Sequence, residues 1–503
     1  MRTQGLLGTT ILCGLLSSTA VQAQVSGPDV WQGWKDMAGS SGQTVTTQSE
    51  EQSGDTLVIR GMTFTSTDPE VTVTGTLDEV RFRDVGDGTV EVTMSPSYPL
   101  TIDAKNEEGQ PVKVDLALSQ TNLKMLVGGS TDAMTYDFTS DAIALATTSV
   151  TEAGAALPVT VNVVANGAGG RYVMTKTAPD VIDLESTFNA GDIKVSVAAK
   201  DEEQQSDLTL EASVGQFASV TNGTFGAMLE MAELADALKA GFATDVAFTF
   251  GPLAYTMNVV DAQGPTAIKG KSDGGSFGLV IDKSKIAYKG GGKGVEAIIT
   301  SSQIPFPEVA IRYAESVVDF LMPVSAGPEA QSFGLTTKLI DLTVSDEVWG
   351  LFDPLATLPR DPATLIVETT GTATLDVDIT NEAAMSALGD APPGKLQSFD
   401  IKALQLKIAG ADLTGNGALT FDNNDLVTFQ GMPAPTGKID LMLVGGNALL
   451  DKLIALGYVP EDQAMGVRMM MGMFARPGTA PDTLTSTLEF KDKGFFANGM
   501  QLQ

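Results

Sequence analysis

SDEVWGLFDPLATLPRDPATLIVETTGTATLDVDI, residues 345–379, carries the pattern on which the fold turns. In its last part Ala373, Leu375, Val377 and Ile379 alternate with Thr374, Asp376 and Asp378. Period two with one apolar and one polar side describes an antiparallel strand with a buried face and a wet face. A strand at 364–369 precedes it across a turn expected at Gly371. Upstream, Ser345 stands where a helix cap belongs, and Asp346 and Glu347 fill the first turn, where carboxylates suit the helix dipole. Val348, Leu351 and Phe352 share one face of that short helix, and Pro354 ends it. Two prolines stiffen 358–362, with Arg360 bracketed in sequence by Asp353 and Asp361. Two readings stay open for this corner. It is an Arg–Asp cluster that acts as a site, or a packed turn whose arginine is held by aspartates.

The alternation recurs along the chain. Towards the N-terminus it shows at Val71, Val73 and Leu77, at Val112, Val114, Leu116 and Leu118, at Val159, Val161 and Val163, and at Ile193, Val195 and Val197. Gly86-Asp87-Gly88 and 106–109 read as hairpin turns, and 166–170, 201–207 and the glycines at 290–292 as loops. Further strands are expected around Phe248, Phe277, Ile286, 401–408, 417–421 and 483–490. Helical spacing predicts a short helix over 29–38 carrying Trp31 and Trp34, and longer helices near 225–242, 307–322, 447–456 and 460–474. The last is rich in methionine, which fills gaps beneath sheets and also lines adaptable binding surfaces. The fold class expected is therefore mainly β, or α+β: antiparallel sheets of amphipathic hairpins, curved, with a few packed amphipathic helices.

The chain has 503 residues, which suggests two to four domains. Residues 1–23 read as a signal peptide: Arg2, an apolar run at 6–16, and small residues at Val21 and Ala23 before Gln24. Export with cleavage near Ala23 and a periplasmic location are expected, with no membrane-spanning segment afterwards. The mature chain divides into a β-rich region at 24–265 and an α+β region at 266–503, the border falling where glycine and charge rise. Cleavage removes Cys13, the one cysteine, and the chain has no histidine. Disulfides, zinc sites of the Cys/His type and histidine-based triads are excluded. The net charge of −31 opposes binding to nucleic acid and to anionic surfaces. Lys289 to Lys293 lacks the spacing of a phosphate loop. Asp84 to Gly88 and Asp422 to Asp425 lack the calcium-loop pattern and read as turns. No catalytic, cofactor-binding or metal-ligating set is assigned, and no cofactor is expected.

LFDPLATLPRDPATLIVETTG at 351–371 and the ending from Gly437 to Leu502 resemble the domain-of-unknown-function 2125 family (DUF2125) of alphaproteobacterial proteins. The resemblance implies an exported or envelope-associated protein and brings no catalytic residues. Three functions remain. The first is a non-enzymatic binding or scaffold protein whose apolar sheet face takes a hydrophobic, lipid-like ligand. The second is a periplasmic assembly protein that pairs through a sheet edge. The third is a carbohydrate-active enzyme working with carboxylates alone. Helices that covered the apolar face completely would remove the ligand reading.

Overall fold

The structure is a computed structural model and describes residues 24–40, 42–68, 70–178, 181–201, 205–225 and 234–503. The proposed signal segment and residues 202–204 of the loop expected at 201–207 lie outside the described residues. Every strand joins one antiparallel sheet. Helix α1 (Gly27–Ser40) leads into β1 (Gln43–Thr46), β2 (Ser49–Ser53), β3 (Thr56–Thr67), β4 (Val71–Asp84), β5 (Val90–Met94), β6 (Ser97–Lys105), β7 (Pro111–Thr121) and β8 (Lys124–Ser130). The core sits here. Val30 and Trp31 of α1 pack with Ile59, Val80, Phe82, Val90, Val92, Val127 and Tyr136.

Long strands follow: β9 (Ala133–Glu152), β11 (Val159–Ala178), β12 (Val181–Asp201) and β13 (Ser206–Phe225), with the two-residue β10 (Ala155–Ala156) between the first two. Helix α2 (Leu234–Lys239) precedes β14 (Ala243–Phe250), β15 (Leu253–Asp261), β16 (Gly264–Ser272) and β17 (Gly274–Ile281). These four are half-strands. β14 and β15 lie end to end along β13, and β16 and β17 end to end along β18 (Lys285–Ser301). The ladder then runs through β19 (Val309–Pro323), β20 (Gly327–Val344), β21 (Ala363–Leu375), β22 (Gly394–Ile408), β23 (Ala411–Asp422) and β24 (Ala434–Val444). Helix α3 (Asp346–Gly350) joins β20 to β21, and α4 (Glu382–Leu388) joins β21 to β22. Helices α5 (Gly446–Ala455) and α6 (Glu461–Phe474) and the short β25 (Arg476–Pro477) precede β26 (Thr483–Lys491), which pairs with β24. β27 (Gly494–Ala497) and β28 (Met500–Gln501) finish the sheet. Both β16 and β17, on either side of the break at Asp273, pair with β18 where the sequence placed its border.

A crease crosses the long strands near mid-length. It passes Gly167, Gly191, Gln216, the breaks at Pro252 and Asp273, Gly294 and Asp341. Gln216, Gly294 and Asp341 have φ of 51°, 58° and 56°. A residue in this region interrupts the pleat, so alternation restarts with the opposite parity and the strand bends. At Gly294 an added Cβ would also meet the Asp273 carboxylate at 2.1 Å, so glycine is required twice over.

Several expectations are corrected by the ladders. Residues 307–322 are not a helix but strand β19, paired on both sides. Its apolar positions Val309, Ile311 and Tyr313 shift phase at Ala314 to Ser316, Val318 and Phe320. Val309 and Tyr313 on one face and, past the shift, Val317 and Leu321 on the other then fall four residues apart, which imitates a helix. The glycines at 290–292 and the stretch 166–170 are not loops but strand interiors of β18 and β11. Gly371 is no turn either. It lies within β21 between Phe333 and Phe399, where an added Cβ would strike the Phe333 ring at 2.3 Å. Of the helix expected near 225–242, Phe225 ends β13, 226–233 lie outside the described residues, and α2 occupies Leu234–Lys239.

Candidate hydrophobic-ligand face

Residues directly opposite one another in a ladder share a face of the sheet. Following the register from strand to strand therefore shows what each face is made of. Beyond the crease towards β20, six leucines stand in line: Leu339, Leu365, Leu406, Leu413, Leu443 and Leu484. Beside them run Phe320, Leu335, Thr369, Ile401, Gly417, Ile439 and Leu488. On the other side of the crease Val161, Val197, Leu210, Met257, Ile268, Ile299 and Val309 are successive partners. No Asp, Glu, Lys or Arg occurs in these three lines.

Aromatic rings connect the halves. Phe138, Phe188, Phe217, Phe248, Phe277 and Tyr288 follow one another with centroids 5.0 to 6.4 Å apart. Tyr288 is then opposite Phe320. At several places a ring lies over a glycine of the next strand, as Phe333 does over Gly371 and Tyr255 over Gly270. The rings therefore lie down along the sheet, and the surface they form is low and continuous.

The reverse face carries the ion pairs, with Val220, Val260, Met442 and Val444 exposed among them. Glu296 accepts Lys271 and Arg312 at 2.6 and 2.7 Å, and Lys338 pairs with Glu368 at 3.1 Å. Hydrogen bonds from Lys271 and Arg312, outweighing desolvation, hold the Glu296 carboxyl below its ordinary value. Three cavities of about 340, 690 and 540 Å³ have mixed linings, from Thr336, Thr370 and Asp400 in the first to Val260, Pro265 and Phe306 in the third, and none is lined by the six leucines. The apolar side is thus an extended face rather than a closed pocket.

That apolar face is covered at one end and open along its length. α1 lies over Met134 and Tyr136, with Gly33 so close that an added Cβ would meet the Met134 sulfur at 3.2 Å. Tyr136 stacks on Tyr172 at 4.3 Å, and burial pushes its hydroxyl up to about 12. Trp31 and Trp34 belong to this cover, as a helix packed on a sheet. Further on, Leu335 keeps 42% of its surface exposed and Leu406 44%. Most of their neighbours are half-buried. Side chains under a packed helix would be sealed.

The proline corner is held internally. Asp353 is fully buried and accepts the Thr357 and Leu358 backbone N–H groups at 2.9 and 2.8 Å and the Thr357 hydroxyl at 2.9 Å. Burial pushes its carboxyl up, but these donors and the Arg360 charge outweigh burial and hold it below its ordinary value. Arg360 pairs with Asp346. The corner is therefore a packed turn. Ser345 does not cap α3 through its side chain; its hydroxyl accepts the Ala310 N–H at 3.3 Å. The aspartates at 87, 422 and 425 bind nearby Thr and Asn groups within their own turns, and Lys493 reaches Asp425 at 2.8 Å. Among the described residues no group of three or more acidic or cysteine side chains is placed to hold a metal ion.

The residues of the face could not be named from the sequence because no single residue marks it. Its signal is the absence of charge at every position in register, and register is a tertiary quantity. No helix among the described residues is long and apolar enough to cross a membrane. No curated protein and no solved structure matches the chain. The family model described as an uncharacterized protein conserved in bacteria (DUF2125) matches residues 224–500, a span holding β14 to β27, the stretch 351–371 and all but the last two residues of the ending that carried the resemblance. With more than half of its length matched, the chain belongs to the DUF2125 family.

Proposed function

We propose that the protein is a non-enzymatic binding protein for acyl-chain lipids, which lie on the apolar face, and that it works in the periplasm after cleavage near Ala23. The observation that carries this reading is the uncharged face itself. Six leucines in register and a line of aromatic rings remain partly open to water on a sheet whose other face carries the ion pairs. Apolar surface of this extent is costly to leave in water, at roughly 25 cal/mol per Å², so a hydrophobic occupant gains that amount on binding. An acyl chain suits the site because it needs no polar partner along its length and adapts to a low, continuous surface.

The test is native mass spectrometry of protein purified gently from its own envelope fraction, followed by solvent extraction. Recurring lipid masses are expected. A clean apo mass, together with no uptake of a fluorescent fatty acid added later, would leave the protein as a scaffold and end the lipid reading.

A further inference from the structure

At one end of the strands the apolar face meets a cluster that the ladders do not include. The α3 corner and the α5–α6 hairpin, about a hundred residues apart in sequence, come together there. The Tyr458 hydroxyl, at the turn between α5 and α6, donates to the Phe352 carbonyl at 2.8 Å. The corner also touches the β22–β23 turn, since an added Cβ on Gly410 would meet the Pro359 ring at 3.0 Å. Gly445, which opens α5, approaches the same Gly410. Asp482 fixes the hairpin by accepting the Asn447 and Ala448 backbone N–H groups at 3.2 and 2.9 Å. The elements are thus rigidly mounted on the rim, and Leu406 and Ile408 bring the apolar face up to it.

The cluster exposes large apolar side chains, with Asp346, Glu461 and Asp462 exposed on the same elements. Leu351 and Leu355 are 66% and 73% exposed, and Met465 and Met469 are 72% and 68% exposed, with Met470, Met473 and Phe352 beside them. Trp349 packs on Phe352 at 5.0 Å, and Tyr458 beside it is 56% exposed. Arg360 with Asp346, and Arg468 with Asp451, form ion pairs at the margin.

We propose that this rim docks on a lipid bilayer, with Leu351, Leu355, Met465 and Met469 entering its interface, so that lipids pass between the bilayer and the apolar face. The proposal rests on the lipid-binding reading. Its occupant is a bilayer rather than a protein for two reasons. The cluster is continuous at Leu406 and Ile408 with a face fitted to acyl chains. Its own make-up is flexible or protruding apolar tips backed by Trp and Tyr, the residues that favour the membrane–water boundary. The backbone of α6 satisfies its own polar groups, as a segment at that boundary requires.

Flotation of the full chain with vesicles of phosphatidylcholine and phosphatidylethanolamine tests it. Wild type is expected to float with the vesicles. The variant carrying Leu351→Glu, Leu355→Glu, Met465→Glu and Met469→Glu is expected to float at least tenfold less, while binding a fluorescent fatty acid as wild type does. Leu355→Glu alone, on an exposed turn, guards against misfolding and is expected to show a smaller loss in the same direction. Phe277→Glu separates the two ideas: it is expected to lose fatty-acid binding and keep flotation. Wild type that stays with the unbound fraction overturns the docking proposal, as do rim variants that float like wild type. Wild type that self-associates through this cluster instead of floating overturns it too. Loss of fatty-acid binding in wild type itself, with flotation intact, overturns the lipid-binding reading and leaves the rim as a membrane contact.

Discussion

Single residues on this sheet act through what is opposite them. Phe277 stands in the aromatic line between Phe248 at 5.0 Å and Tyr288 at 5.4 Å. Phe277→Glu sets a carboxylate among rings with no cation in register, and fatty-acid affinity is expected to fall by tenfold or more in a fluorescence titration. Gly371→Val places a side chain where the Phe333 ring and the Ser398 carbonyl already lie, at 2.3 and 2.5 Å. Overpacking of this kind costs ~1–3 kcal/mol, to be read from the urea midpoint. Asp353 governs a pH response. Its folded value lies below its ordinary one, so its contribution is present above about pH 4 and is lost as pH falls through the lowered folded value. Melting temperature measured from pH 6 down to pH 2 is expected to fall less steeply in Asp353→Asn than in wild type. An equal slope would remove Asp353 from that role.

Among the elements, α1 and β19 teach opposite lessons. α1 was legible at 29–38 because Trp31, Trp34 and Ala38 keep helical spacing beside Pro28, and the structure extends it only to Gly27–Ser40. It anchors the buried cluster that includes Phe82 and Val127. Trp31→Ala is expected to cost ~3–5 kcal/mol in urea unfolding, while fatty-acid binding on the open face is kept. A loss of binding equal to that of Phe277→Glu would show that α1 belongs to the site rather than to its cover. β19 was illegible because the crease shifts its phase at Ala314, and a local window cannot tell a shifted strand from a helix. The helices at 446–455 and 461–474 were recognisable from capping and period, since Pro460 and Gly457 punctuate them.

At the scale of the whole molecule, twelve strand positions from β12 to β26 carry the apolar face. At ~4.8 Å per strand step it runs for roughly 50 Å. One leaflet of a bilayer contributes about 15 Å of the ~30 Å hydrocarbon core, so the face has room for more than one acyl chain in file. Native mass spectra are accordingly expected to show more than one lipid per chain. Binding is also expected to hold or rise between 0.05 and 0.5 M salt, because apolar contact is not screened and exposed ion pairs are. Affinity that collapses with salt would move the site to the polar face. Sheets of this width curl or split, and here the crease sets where the bend falls.

The sequence by itself determined that the chain is mainly antiparallel β, that its strands have one apolar and one polar side, and that thiol and imidazole chemistry is closed to the chain expected after cleavage. Those properties are local: side-chain period and residue type do not depend on partners. The tertiary structure alone decided that the apolar sides fall on a single face, that parity shifts at Gly294 and Asp341 keep them there, and that α1 covers one end while Leu335 and Leu406 stay open. Each of these is a matter of register between strands far apart in the chain, and one step of register would have moved every side chain to the other face.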